Sequence, residues 1–184
     1  ARSRLNMLDA GVSIIDESMM ATEAFLKARS GWNAVINADA AIREATALAE
    51  EMSKENILAS QAKGNEALAF LEEAQQDFSQ AEAAYLSLDL AAFKAYVAKR
   101  IESQQAALAA DEAYLSRNKE ELEAQNSRYN ALEEEAAALA QKLGEDDPEQ
   151  IVALRFYKEI EADQGAYEAE RLKAGNADAF LREY

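Results

Sequence analysis

The sequence contains no cysteine and no histidine. The first absence rules out disulfide bonds and thiol chemistry, and the two together rule out zinc fingers and c-type haem attachment. A di-iron bundle of the usual kind is also excluded, because two of its helices must each supply a Glu-x-x-His motif. We therefore expect that neither a metal nor an organic cofactor is needed for folding. The absence of cysteine leaves the redox compartment open.

Residues that interrupt helices are scarce as well. One proline and six glycines in 184 residues leave little material for turns, and aromatic residues make up only 8%. Apolar residue types account for 49%, much of it alanine, and runs of β-branched residues are absent. This composition is typical of helical bundles and coiled coils. The sequence predicts an all-α fold, built as an elongated antiparallel helical bundle.

Basic residues are outnumbered by acidic ones. The 19 Lys and Arg residues against 35 Asp and Glu residues give a formal net charge of −16. Nucleic acid and anionic membrane surfaces both need clustered basic side chains, so neither is expected as a partner. No apolar run reaches the roughly 18 residues of a transmembrane helix. The cellular location is left unknown, with an extracytoplasmic location or a membrane anchor in a segment before Ala1 as alternatives.

The stretch from Leu90 to Leu143 runs for more than fifty residues without glycine or proline. Every seventh position carries a residue suited to a helix–helix seam: Ile101, Leu108, Leu115, Leu122, Tyr129, Ala136 and Leu143. This heptad repeat predicts one continuous coiled-coil helix of roughly 80 Å. A compact domain of this size would have a radius of gyration of only about 16 Å, so we expect an elongated molecule.

Two helices are predicted before this stretch. Apolar residues spaced three and four apart indicate a first helix over about 3–29, with Gly31 in the place of a C-terminal cap. A second helix is predicted from about 37 to 86. Its apolar stripe changes phase between residues 53 and 66, where Gly64 marks a candidate break.

A tight turn at residues 87–89 should join the second helix to the third as an antiparallel hairpin. This register places Lys94 opposite Glu82 and Lys99 opposite Asp77. Opposite charges therefore meet at both places. Exposed ion pairs of this kind select a register more than they stabilise a fold.

A fourth helix has a strong start signal. Asp147 can cap it, Pro148 suits the first helical position, and Gln150 can complete a capping box. We expect this helix to stop before Gly175.

The predicted helices assemble into a single all-helical domain over residues 1–184. Residues of about 3–64 and 113–174 form a four-helix bundle in this arrangement. Residues of about 65–112 project as a two-helix coiled-coil arm, and 176–184 form a short C-terminal helix.

Four polar residues recur at seven-residue spacing along the second seam of the long helix: Gln104, Asp111, Asn118 and Gln125. They are candidates to line a ligand cavity or a hydrated core layer. The alternative is that they lie at the solvated edge of the helix. A buried Asp111 would need a partner, and the hairpin register offers Lys63.

Six apolar residues gather within twelve positions at the predicted end of the arm: Tyr85, Leu86, Leu88, Leu90, Phe93 and Tyr96. A hairpin turn needs only two or three of them, and Leu86 and Leu90 fit neither seam. We expect some of this surface to face water and to contact a partner protein or a second copy. The alternative is that all six cap the hairpin end.

No catalytic motif is present. Nucleophile–base pairs, phosphate-binding loops and calcium loops are all missing, and the clustered carboxylates point in different directions on a helix. The leading hypothesis is a non-enzymatic helical interaction or scaffold module, of bacterial type and extracytoplasmic. The alternative is a four-helix sensory domain that binds a small ligand between its helices. An exposed apolar strip would favour the first, and a pocket lined by the polar seam would favour the second.

Overall fold

The computed structural model describes the backbone of residues 2–85, 88–145 and 147–183, and the side chains of residues 18–85, 88–145, 147–159 and 161–173. These ranges contain helices and no strand, so the all-α prediction is confirmed. The helices are α1 (Arg2–Glu50), α2 (Lys54–Ala84), α3 (Ala91–Leu115), α4 (Lys119–Leu143) and α5 (Pro148–Glu183). None of them, within the described residues, has an apolar stretch long enough to cross a membrane.

Helices α1 to α4 each pack as antiparallel neighbours of the next, beginning with α1 and α2. Lys63 of α2 bonds Glu44 of α1 at 3.0 Å, and Phe78 of α2 lies beside Gly31 of α1. Residue numbers therefore rise along one helix as they fall along the other. The remaining half of α1 packs against α5.

The pairs α2/α3 and α3/α4 continue the same pattern. Lys94 bonds Glu82 at 2.8 Å, which confirms the register predicted for the hairpin at that end. The second predicted pair is wrong, because Lys99 bonds Glu135 of α4 at 3.0 Å instead of Asp77. The side chain of Lys99 thus crosses to the helix on the other side of α3.

The first predicted helix boundary is wrong. Helix α1 does not end at Arg29 but continues for 49 residues to Glu50. A methyl group placed on Gly31 would lie 2.7 Å from the Phe78 ring, closer than real contacts allow. The glycine therefore permits close approach of α2 and does not cap α1.

The break between α1 and α2 lies at residues 51–53, at the start of the predicted phase change and not at Gly64. Ser53 has extended backbone angles, and its hydroxyl accepts the N–H of Asn56 at 3.2 Å, as an N-cap does. Gly64 is buried inside α2, where a methyl group would lie 2.8 Å from both Gln104 and Leu108. Like Gly31, it allows two helices to touch.

The long third helix is also wrong as predicted, because the chain reverses at residues 116–118. Arg117 adopts a left-handed conformation with φ 58°. Asn118 then caps α4 by accepting the N–H of Glu121 at 3.1 Å. The heptad itself is retained, since each of its seven residues is buried or half-buried on α3 or α4.

Residues 65–112 do not project as an arm. Helix α1 covers this segment on one side, where Trp32 packs edge to face on Phe93 with ring centroids 5.6 Å apart. Helix α4 covers it on the other side through Glu135. The bundle is therefore formed by α2, α3 and α4 along their length with the second half of α1.

The last helix starts where the sequence predicts. Asp147 accepts the N–H of Glu149 at 2.8 Å, and Pro148 occupies the first helical position. Helix α5 then runs through Gly175 to Glu183, so the separate helix predicted for 176–184 is wrong within the described backbone. Tyr184 lies outside the described residues.

Candidate functional site

A cavity of about 130 Å³ lies inside the bundle, between α1, α2, α3 and α4. Its lining residues are Ile42, Ala45, Thr46, Ala49, Ser60, Gln104, Ala107, Ala110, Asp111, Asn126 and Tyr129. Small alanine side chains on α1 and α3 leave the space open. Polar groups from all four helices converge on it.

Gln104 is the most deeply placed polar residue of this cavity. Its side chain is 3% exposed and lies over Gly64, the only residue type that leaves room for it there. Its amide makes no hydrogen bond with any residue in the part of the chain that the structure describes. Since this amide lines the cavity, a hydrogen-bond partner bound there would be favourable.

Asp111 provides the carboxylate of the cavity. Ser60 donates a hydrogen bond to its Oδ2 at 3.0 Å. Burial raises the pKa of Asp111, and the Ser60 hydrogen bond lowers it by less. The predicted pairing with Lys63 is wrong, because that amine bonds Glu44 at 3.0 Å and Glu66 at 3.2 Å. Among the described residues no basic side chain forms a salt bridge with Asp111.

The cavity opens on the side where α1 faces α4, two helices that are not among the closely packed pairs. Thr46 and Asn126 line it there and are exposed. Tyr129 is half-buried beside Thr46. Burial raises the pKa of Tyr129, and the charge of Glu133 adds to this effect. A small molecule can therefore reach the cavity between α1 and α4.

A charged cluster lies one helical turn from Gln104 along α3, outside the cavity lining. Arg100 bonds Asp39 of α1 at 3.0 Å and lies 3.8 Å from Glu133 of α4. Ser103 donates to Glu133 as well. The cluster links α1, α3 and α4.

The other two members of the polar seam are not in the cavity. Asn118 is the N-cap of α4 and is exposed. Gln125 is half-buried on α4, where its amide donates to Glu121 at 2.7 Å and its Oε1 is buried without a hydrogen-bond partner among the described residues. The reversal at 116–118 separates these two residues from Gln104 and Asp111. The predicted seam is thus divided, with two of its residues at the cavity and two outside it.

The apolar residues of the predicted contact surface are buried. Tyr85, Leu88, Leu90, Phe93 and Tyr96 all belong to the core at the end where α2 meets α3. The expectation that Leu90 faces water is wrong, since it is fully buried. Leu86 lies outside the described residues. The five described members thus offer no accessible apolar surface to a partner.

Exposed apolar residues occur instead where α1 meets α5. A groove of about 280 Å³ is lined by nine residues, none of them charged: Ser18, Ala21, Thr22, Phe25, Leu26, Val152, Ala153, Phe156 and Tyr157. Leu26 is 59% exposed and Tyr157 is 67% exposed. The sequence analysis did not single out this surface, because it depends on which stretch of α1 lies beyond the end of α2.

Sequence reasoning also missed Ser60, Thr46 and Tyr129 as cavity residues. Ser60 and Thr46 carry no motif, and Tyr129 was counted in the apolar seam. The described residues contain no group of three or more acidic side chains placed to hold a metal ion.

The chain was compared with known protein families, curated proteins and solved structures, and it matches none of them.

Proposed function

We propose that this chain is a non-enzymatic module that binds a small polar molecule between helices α1, α2, α3 and α4. The observation that carries the proposal is Gln104, a residue only 3% exposed that lines the cavity and whose amide has no hydrogen-bond partner among the described residues. Burying polar groups in a helical core lowers stability compared with apolar packing. A polar cavity is therefore better accounted for by a ligand than by the needs of folding.

The chemistry of the cavity supports binding more than catalysis. Ser60 and Asp111 form its only hydroxyl–carboxylate pair joined by a hydrogen bond within the described residues. An activated serine normally needs a histidine or lysine base and donors for an oxyanion. The sequence has no histidine, and the lining includes no lysine or arginine.

The test is a binding screen by two-dimensional NMR with neutral, anionic and cationic molecules of about three to six non-hydrogen atoms, the size that the cavity admits. Binding should shift the amide signals of residues around Gln104 and Asp111. Ala107→Leu, which fills the cavity, should abolish these shifts. Ala95→Leu adds the same atoms to an exposed position of the same helix and should leave them intact.

The proposal fails if no molecule in the panel shifts these signals. It also fails if Ala107→Leu binds as well as the parent protein.

A second candidate, self-association, is favoured by the α1/α5 groove. The groove offers an apolar hollow, and the same surface carries the projecting side chains of Leu26 and Tyr157. A surface with both features is self-complementary, as a two-fold symmetric interface between copies requires. We propose a second copy of this chain as its occupant.

Sedimentation velocity tests this candidate. The parent protein should show a concentration-dependent dimer that is lost in a Leu26→Ser, Tyr157→Ser double variant. Leu58→Ser removes an exposed leucine from α2, outside the groove, and should leave the dimer unchanged. A parent protein that stays monomeric at high concentration rejects a second copy as the occupant.

A further inference from the structure

We infer that the ligand of the interhelical cavity is a small organic ammonium ion. This inference rests on the proposed function, because it names the class of molecule that the same cavity binds.

Charge provides the first argument. Asp111 is the only carboxylic acid in the lining, and no lysine or arginine accompanies it. A half-buried carboxylate without a counter-ion is poorly compensated, and a bound cation would supply the missing charge. An anion would be repelled, and a neutral molecule would leave the carboxylate uncompensated. The net charge of −16 also raises the local concentration of cations.

Hydrogen bonding provides the second argument. A primary ammonium group has three N–H donors and no acceptor. The cavity presents acceptor oxygens on the Asp111 carboxylate, on the unpartnered amide of Gln104 and on the Tyr129 hydroxyl. An ammonium group near Asp111 can use several of them at once, and charge-assisted bonds of this kind are the strong ones.

Shape provides the third argument. At about 30 Å³ per water molecule, the volume of about 130 Å³ corresponds to roughly four waters. The walls away from Asp111 are apolar, made by Ile42 and four alanines. A short alkyl chain fits against them. The described residues contain no cluster of acidic ligands for a metal ion, which favours an organic cation over an inorganic one.

The experiment compares three molecules of similar size on the full chain at constant ionic strength: ethylammonium chloride, ethanol and sodium acetate. Two-dimensional NMR titration gives a dissociation constant for each. We expect ethylammonium to bind at least tenfold more tightly than ethanol, and acetate to leave the cavity signals unshifted. Potassium chloride at the same concentrations corrects for general salt effects.

Variants locate the binding. Asp111→Asn keeps the shape of the side chain and should weaken ethylammonium binding at least tenfold. Glu112→Gln removes the neighbouring carboxylate of α3, which is exposed and outside the cavity, and should bind like the parent.

The outcomes separate the two proposals. If ethanol binds as tightly as ethylammonium and Ala107→Leu abolishes both, the ammonium class is wrong and the ligand-binding function stands. If ethylammonium binds equally well to Asp111→Asn, the ion is held elsewhere and the inference is overturned. If none of the three molecules shifts the cavity signals, the ammonium class is rejected whatever else the wider panel binds.

Discussion

Small residues decide how closely the helices of this protein approach one another. Alanines 24, 28, 34 and 38 of α1 are all buried, and glycines stand where even a methyl group would be too large. Gly31 touches Phe78 and Gly64 touches Gln104. Close backbone approach brings α2 against both α1 and α3, and the longer side chains fill the remaining space.

Gly31→Ala should destabilise the protein by about 1–3 kcal/mol, because the added methyl group would lie 2.7 Å from the Phe78 ring. Gly165→Ala is the matched control, since it also lies inside a helix but has no neighbouring atom within 4 Å. That change should stabilise α5 by roughly 0.5–1 kcal/mol. Urea denaturation measures both. Equal effects of the two substitutions would show that Gly31 is not a contact residue.

Asp111→Asn should raise stability at neutral pH, even though it removes the proposed ligand contact. Burial raises the pKa of Asp111, so the folded state holds the proton more tightly than the unfolded state does. The favourable contribution of this group is therefore complete at low pH and is lost as pH rises through the folded pKa. The stability difference between the asparagine variant and the parent should shrink as the pH falls through the acidic range.

Chemical denaturation at a series of pH values measures that difference. Glu112→Gln corrects for the general effect of removing one carboxylate from an acidic protein. A difference that grows as the pH falls contradicts the argument.

At the scale of helices, capping residues place the ends. Ser53, Asn118 and Asp147 each accept a backbone N–H at the start of a helix, although neither of the first two is near a proline or a glycine. Asn118 has Glu121 three positions later, the spacing of a capping box. The signal for this break was therefore present in the sequence. The continuous heptad masked it, because a three-residue turn let α4 fold back with its apolar stripe still facing α3.

Arg117→Gly should stabilise the reversal between α3 and α4 by about 1 kcal/mol. Arg117 has φ 58°, a conformation that costs L residues with a Cβ atom more than it costs glycine. Thermal unfolding gives the change, with Arg128→Gly on the exposed surface of α4 as a control that should lower stability. If Arg117→Gly lowers stability, the Arg117 side chain stabilises the protein by more than its left-handed backbone conformation destabilises it.

At the scale of the whole molecule, α1 sets the shape. Its 49 residues correspond to about 73 Å of helix, and it packs against α2 over one half and α5 over the other. The bundle of α1–α4 holds the cavity, and the apolar groove lies where α5 joins α1. The two proposed binding surfaces therefore occupy different parts of one elongated molecule.

Small-angle X-ray scattering should give a radius of gyration well above the value of about 16 Å for a compact domain of this length. The maximum dimension should reach at least the length of α1. The measurement is made at several concentrations, so that dimer formation is separated from the shape of the monomer. A value near 16 Å would contradict the extended α1.

Local patterns in the sequence were enough to predict several features of the fold. Composition and periodicity predicted the all-α class, the break between α2 and α3, and the start of α5 at Pro148. The register of Lys94 with Glu82 followed from charge and spacing alone. Gln104 and Asp111 also stood out as polar residues in an apolar repeat.

Only the tertiary structure decided what depends on which helices meet. The sequence around Gly31 fits either a C-terminal helix cap or a close contact between helices. Only the position of Phe78 of α2 distinguishes the two roles. The heptad from Leu90 to Leu143 is compatible with one long helix or with two helices that fold back on each other. Periodicity therefore could not predict that α3 and α4 are separate helices with a cavity beside them. That cavity exists because α1 and α4 both line it beside Gln104 and Asp111 without packing closely on each other, and an arrangement of residues so far apart in the chain leaves no local mark on the sequence.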